Sequence, residues 1–147
     1  MSSLTLQPGT HAQLAEWLDG DAWVIACLCA AWCDTCRAYR GAFDELAARH
    51  PDKHFVWIDI EDEADVVGDI DVENFPTLLM QRGETVVFFG TVLPDVKLAD
   101  RLISAQAEKT DAQIDAEANG SAERQGWQRD CNLRMRLAEA LGQREQE

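Results

Sequence analysis

The sequence predicts an α/β fold: a mixed β-sheet flanked by helices, followed by a helical extension. Three observations predict it. "AWVIACLCA" is a continuous apolar run of strand length that fits a strand buried on both faces, and "KHFVWIDI" reads as a second buried strand. Amphipathic helical stretches alternate with them. Two β-rich runs, "TLLM" and "TVVFF", flank a turn-like "QRGE". Strands that alternate with helices and then close in a hairpin imply a sheet of mixed direction.

The elements run in the order (β)αβαβ(α)ββα. In "GTHAQLAEWLDGD", Leu14, Trp17 and Leu18 fall at helical spacing, with Thr10 as N-cap and Gly20 as stop. The run ending at Cys29 is the first buried strand. From Cys33 to His50 the pattern turns helical, with Tyr39, Phe43, Leu46 and Ala47 on one face, and Pro51-Asp52 ends it. "KHFVWIDI" is the next strand, and the acidic "EDEADVVGDIDVEN" holds at most a short helix. The hairpin follows. "LPDVKLADRLISAQA" then opens a helix with Pro94 early and Leu98, Leu102 and Ala105 on one stripe.

Past about residue 107 the composition shifts, which divides the chain into a domain at 1–107 and an extension at 108–147. "EKTDAQIDAEANG" carries one large apolar residue, Ile114, and reads as a linker or a solvated helical continuation over about 108–120. An amphipathic helix is expected over about 121–142, capped by Ser121, with Trp127, Cys131, Leu133, Leu137, Ala138 and Leu141 on one side. That side can pack on the domain itself, form a dimer seam or receive a partner; packing on the domain is the default.

With 147 residues, nearly half of them apolar, the chain can bury a core. Its longest apolar run, residues 22–32, is far short of the roughly 18 residues of a membrane span. The opening "MSSLTLQPGTHAQ" lacks the basic and apolar regions of a secretory signal. A cytoplasmic location with reduced thiols is the expectation. A formal charge of −14 disfavours nucleic acid and anionic membranes and favours basic partners.

Five cysteines, at 27, 29, 33, 36 and 131, are an odd count that argues against a disulfide framework. By itself Cys33-Asp34-Thr35-Cys36 admits a redox couple, half of a metal site or two core thiols. A metal site built with Cys27 and Cys29 is disfavoured. Zinc needs sulfurs about 2.3 Å from one point, and those two share one face of a strand while Cys33 and Cys36 belong to the helix beyond it. His11, His50 and His54 show no ligand spacing with them and read as exposed loop histidines; no metal is expected. Cys131, four residues from Trp127, reads as packing.

Two marks narrow the choice. "VIACLCAAWCDTCRAYRGAFDELAARHP" places W-C-x-x-C where the strand gives way to the helix, and "VENFPTLLM" places Phe75-Pro76-Thr77 forty residues after Cys36. Together with Gly83 in the hairpin turn and Gly90 after the last strand, they resemble the thioredoxin superfamily over about residues 4–107. The resemblance implies a thioredoxin-like mixed sheet and thiol–disulfide oxidoreductase activity with no cofactor beyond a redox-active disulfide. It also implies a cis Phe75–Pro76 peptide lying against the cysteine pair.

The chemistry it implies is physically reasonable. A helix N-terminus presents unpaired N–H groups and partial positive charge, which stabilise a thiolate. Cys33 is then the nucleophile toward a substrate disulfide, and Cys36, one turn in and more covered, resolves the mixed disulfide. The backbone at Phe75 and Pro76 can pair with an extended substrate segment. Trp32 supplies an apolar lip and Gly90 lies beside the groove. Implied partners are protein disulfides and an electron donor of the thioredoxin-reductase type.

The sequence departs from the family at several points. The buried acid expected six positions before the first cysteine is Cys27, and a thiol titrating near pH 8.5 is a poorer proton acceptor than a carboxylate. The expected lysine on the next strand is Trp57. Asp34 and Thr35 stand between the cysteines in place of Gly-Pro. Asp34 puts a negative charge beside Cys33, and Arg37 puts a positive one nearby. Gly41 stands at the helix-kink proline. Slow turnover is the expected consequence of Cys27. A second reading keeps the fold as a binding or chaperone-like module that uses the Pro76 groove and the C-terminal helix.

Overall fold

The computed structural model describes residues 3–20, 22–68, 70, 72, 74–92 and 95–146, with side chains through residue 142. Pro94, expected near a helix start, lies outside the described residues. Five strands form one sheet: β1 (Leu4–Thr5), β2 (Trp23–Cys29), β3 (His54–Asp59), β4 (Thr77–Arg82) and β5 (Thr85–Thr91), in the spatial order β1-β3-β2-β4-β5. β3 runs parallel to β1 and β2, while β4 runs antiparallel to β2 and β5, so the sheet is mixed as expected. β2 lies at its centre, which explains its unbroken apolar sequence.

Alternate β2 residues serve opposite faces. Val24, Ala26 and Leu28 join a core with Leu14 and Leu18 of α1 (His11–Asp19), Val66 and Val67 of α3 (Ala64–Val67), and Leu133 and Leu137 of α7 (Leu133–Gln146). Ile25, Cys27 and Cys29 face the other way. They pack with Cys36, Tyr39 and Phe43 of α2 (Asp34–Arg49), Ala99 and Ile103 of α4 (Val96–Ala107), and Ile114 of α5 (Asp111–Ala118). The β4–β5 hairpin turns at Gly83 and Glu84, where Gly83 takes φ 57°, a region that side-chain-bearing residues rarely occupy.

The extension differs from expectation in two places. The stretch read as linker or continuation is the separate helix α5. Thr110 caps it by accepting from Gln113 N, and the Gln113 side chain accepts from Thr110 N in return. The single helix expected at 121–142 is two, α6 (Ala122–Asp130) and α7, separated at Cys131–Asn132. Tertiary hydrogen bonds cause the break. Asn132 Nδ2 donates to Glu84 O, its Oδ1 accepts from Gln81 Nε2, and Leu133 N donates to Gln81 Oε1. Gln128 of α6 donates to Val86 O and accepts from Val86 N, both at 2.8 Å. Self-packing of the extension is therefore what the structure contains.

The histidines are also corrected. His11 is 2% exposed, with its Nε2 3.0 Å from both Glu63 carboxylate oxygens. His54 stacks on Trp17 at 4.1 Å, and burial holds its imidazole below the usual value. His50 Nε2 lies 2.6 Å from Asp100 Oδ1.

Candidate redox site

The site forms where β2 ends and α2 begins. Cys29 is the last β2 residue, and its carbonyl accepts from Ile60 N, so pairing with the neighbouring chain persists to the strand's end. A turn follows, closed by Cys33 N donating to Ala30 O at 3.0 Å. Cys33 is the N-cap of α2, with extended backbone angles (φ −85°, ψ 116°), and its carbonyl accepts from Arg37 N. Its thiol is half-buried. Cys36 sits one turn into the helix, 1% exposed. The two predicted cysteines therefore occupy the helix mouth and the layer beneath it.

Phe75–Pro76 is a cis peptide, as the resemblance implied. Trp32, 63% exposed, meets the Phe75 ring edge-on at 5.7 Å, and its indole N–H donates to Glu61. Pro76 O accepts from Val92 N, which places the end of β5 beside the proline; Gly90 pairs with Leu78 in that ladder. Arg37 binds the Asp34 carboxylate and donates to Ala31 O, so its charge is directed to the loop before the helix. Thr35 is exposed.

The structure also shows what the sequence reading missed. The disulfide joins Cys36 to Cys29, with Cα atoms 5.7 Å apart, and Cys33 is a free thiol. The sequence places Cys29 at the end of the strand and assigns it no redox role. Cys27, fully buried, has its sulfur 3.7 Å from that of Cys29. Burial pushes the Cys27 thiol well up, against a smaller downward pull from Arg40. Cys27 is thus protonated at neutral pH. Arg40 itself lies over the Trp57 ring at 4.8 Å, and Trp57 pairs with Cys27 across the β2–β3 ladder. A cation therefore reaches this region from α2 where the family would supply one from β3. Its spacing of four from Cys36 is the sequence signal that places it on the same side of the helix.

Asp59 is a second omission. Its carboxylate accepts from Ala31 N at 2.9 Å, Glu61 N at 2.8 Å and Asp62 N at 3.1 Å, tying the loop before Cys33 to the end of β3.

The thioredoxin family model matches residues 9–104. The chain belongs to the thioredoxin family. At family level this makes it a thiol–disulfide oxidoreductase. It is 29% identical over 112 residues to a thioredoxin H-type from Picea mariana, a match that covers 75% of this chain and 90% of that protein. A thioredoxin H-type from Brassica campestris is 29% identical over 85 residues; there the match covers 58% of this chain and only 59% of the relative's length. In fold, the chain superposes on a chain from the crystal structure of a ferredoxin:thioredoxin reductase and thioredoxin f2 complex. The TM-score is 0.62 at 18% identity, covering 73% of this chain and 95% of that one. The extension that forms α5, α6 and α7 lies beyond the matched family region.

Proposed function

We propose that this thioredoxin-family chain reduces protein disulfides, with Cys33 as nucleophile and Cys36 as resolving thiol. The observation that carries the reading is the placement of Cys33. It is a free, half-buried thiol at the N-cap of a 16-residue helix, beside an exposed tryptophan lip. The Cys33 thiolate attacks one sulfur of a substrate disulfide and expels the other as thiolate. Cys36 then attacks Cys33 Sγ, releasing the second substrate thiol and leaving the protein oxidised. Phe75 and Pro76 offer the backbone edge along which an extended substrate segment lies, with Gly90 beside it.

The two electrons return from a thioredoxin-reductase-type donor. The fold neighbour whose structure includes a ferredoxin:thioredoxin reductase supports that class of partner. No cofactor or metal beyond the cysteine pair enters the reaction. The acidic surface favours basic partners over nucleic acid or membrane. No helix among the described residues is long and apolar enough to cross a membrane. The working compartment is the reducing cytoplasm, where the chain contributes to redox homeostasis. Turnover is slow because Cys27, already protonated at neutral pH, does not take the Cys36 proton as a carboxylate would. The family match favours this reading over a binding module.

Insulin reduction with dithiothreitol as donor tests the proposal. Wild type should accelerate precipitation of insulin B chain over dithiothreitol alone, and Cys33→Ser should not. Cys36→Ala should hold substrate as a covalent adduct released by reductant. Full activity in Cys33→Ser would overturn the assignment.

A further inference from the structure

We propose that Cys29 is a second resolving cysteine, which takes the disulfide from Cys33–Cys36 to Cys29–Cys36 and frees Cys33 at the helix mouth after oxidation. This deepens the reading above and rests on it. Three observations on the page converge. Cys36 is disulfide-bonded to Cys29 across the strand-to-helix junction, with both cysteines 1% exposed. Cys33 remains a thiol, half-buried at the N-cap, one helical turn from Cys36. Cys27 lies 3.7 Å from Cys29 on the same strand face, where its S–H can donate to the Cys29 sulfur. Cys36 is thus placed between two partners, one at the surface and one beneath it, and can hold only one at a time.

The step balances without an external oxidant. Cys29 loses its proton, and its sulfur attacks Cys36 Sγ. The Cys36–Cys33 bond breaks, the Cys29–Cys36 bond forms, and Cys33 departs as a thiolate. One proton is released, one thiolate appears, and no electrons enter or leave. The oxidising equivalent is the one already taken from the substrate disulfide. A thiolate leaving at a helix N-terminus is favoured as a leaving group. The new disulfide is screened from solvent, whereas a Cys33–Cys36 bond has one sulfur at the surface. Cys27 is a positioning residue here: its S–H group faces the attacking sulfur.

The consequence is an oxidised protein that still displays a nucleophile. It can attack a second disulfide but cannot release it, because Cys36 is occupied. Oxidation thereby changes the chain from a turnover enzyme into one that holds half of a second disulfide as a mixed disulfide on Cys33, the other half leaving as thiolate.

Differential alkylation tests this. The full chain is oxidised with a single equivalent of hydroxyethyl disulfide, so that no second disulfide remains for Cys33, then freed of reagent and labelled natively with iodoacetamide. It is then denatured, reduced and labelled with a second, heavier alkylating reagent. Residues 1–37 contain no lysine or arginine before Arg37, so trypsin leaves all four cysteines in one peptide. Chymotryptic cleavage after Trp32 separates Cys29 from Cys33. In wild type, Cys33 should carry the native label while Cys29 and Cys36 carry the second. In Cys29→Ala, Cys33 should be tied to Cys36 and its native labelling should fall at least tenfold. If Cys33 of oxidised wild type resists native labelling and pairs with Cys36, the proposal is overturned. Equal native labelling of Cys33 in wild type and Cys29→Ala overturns it too, because Cys36 then never passes through a bond to Cys33. The wild-type map stands even if the variant folds poorly, and Cys29→Ser provides a second variant. Insulin reduction by the same wild-type preparation separates the two ideas: normal turnover with a Cys33–Cys36 map removes only the relay, whereas no turnover removes the reductase reading itself.

Discussion

Replacing Leu137 by alanine tests whether α7 is part of the domain's own core. Leu137 is 1% exposed and belongs to the cluster that joins α7 to α1, α3 and one face of β2. The change deletes three buried carbons, worth about 0.8 kcal/mol each in transfer free energy. A cavity left in rigid surroundings adds roughly another 1 kcal/mol. The expected loss is about 3 kcal/mol. With a urea m-value of about 2 kcal/mol/M for a domain of this size, the unfolding midpoint falls by about 1.5 M. Met135, two residues earlier on the same helix, is 55% exposed, so Met135→Ala should shift stability by less than about 0.5 kcal/mol. The assay is urea unfolding with the thiols held in one redox state, followed by tryptophan fluorescence and far-ultraviolet circular dichroism. Coincident transitions are expected, because α7 and the sheet share one core. Equal effects from the two substitutions, or an early transition that removes only helical signal, would refute the reasoning.

Three further outcomes are expected. Asp59→Ala removes the acceptor for Ala31 N, in the loop before Cys33, and for Glu61 N and Asp62 N just after β3. It should cost about 1–2 kcal/mol in urea unfolding and lower insulin reduction severalfold; unchanged values for both would show that the loop holds its shape without the carboxylate. Cys27→Asp should raise insulin turnover by giving Cys36 a better proton acceptor, and a steady-state rate equal to wild type would count against that role. The depressed His54 imidazole makes stability depend on pH. Its folded-state value lies below the unfolded value near 6.5, so the unfolded chain binds more protons. Stability from this group is complete above about pH 6.5 and is lost as pH falls toward the depressed value. Across that window His54→Gln should show a shallower loss in unfolding midpoint than wild type; an identical slope would assign the dependence to other groups.

Much of the architecture was legible because local pattern and tertiary environment agree. β2 is an unbroken apolar run and β3 carries an apolar Phe55–Ile58 centre; both occupy inner positions of the sheet, and the turn glycine of the hairpin takes positive φ. Trp32, Cys33, Cys36, Phe75 and Pro76 were legible through their motif, and the structure brings Trp32 against Phe75 and sets Cys33 at the helix start. What was not legible depends on partners distant in sequence. His11 is buried because Glu63 meets it from 52 residues away. The extension breaks at Cys131–Asn132 although apolar spacing continues across it, because Asn132 binds Gln81 and Glu84 on the hairpin. The partner of Cys36 was hidden for a related reason. Cys33 is nearer in sequence, but the end of β2 passes directly under the first turn of α2, and that places Cys29 within bonding reach.

The two hydrogen bonds between Gln128 and Val86 bear on how the molecule meets others of its kind. β5 is the outermost strand of its side of the sheet, and such margins offer unpaired peptide groups to any passing strand. Here a glutamine amide imitates a peptide unit and fills one such position from within the same chain. The added C-terminal residues therefore act as a selvedge: they finish the fabric at the border where it would otherwise catch on a neighbour and lengthen.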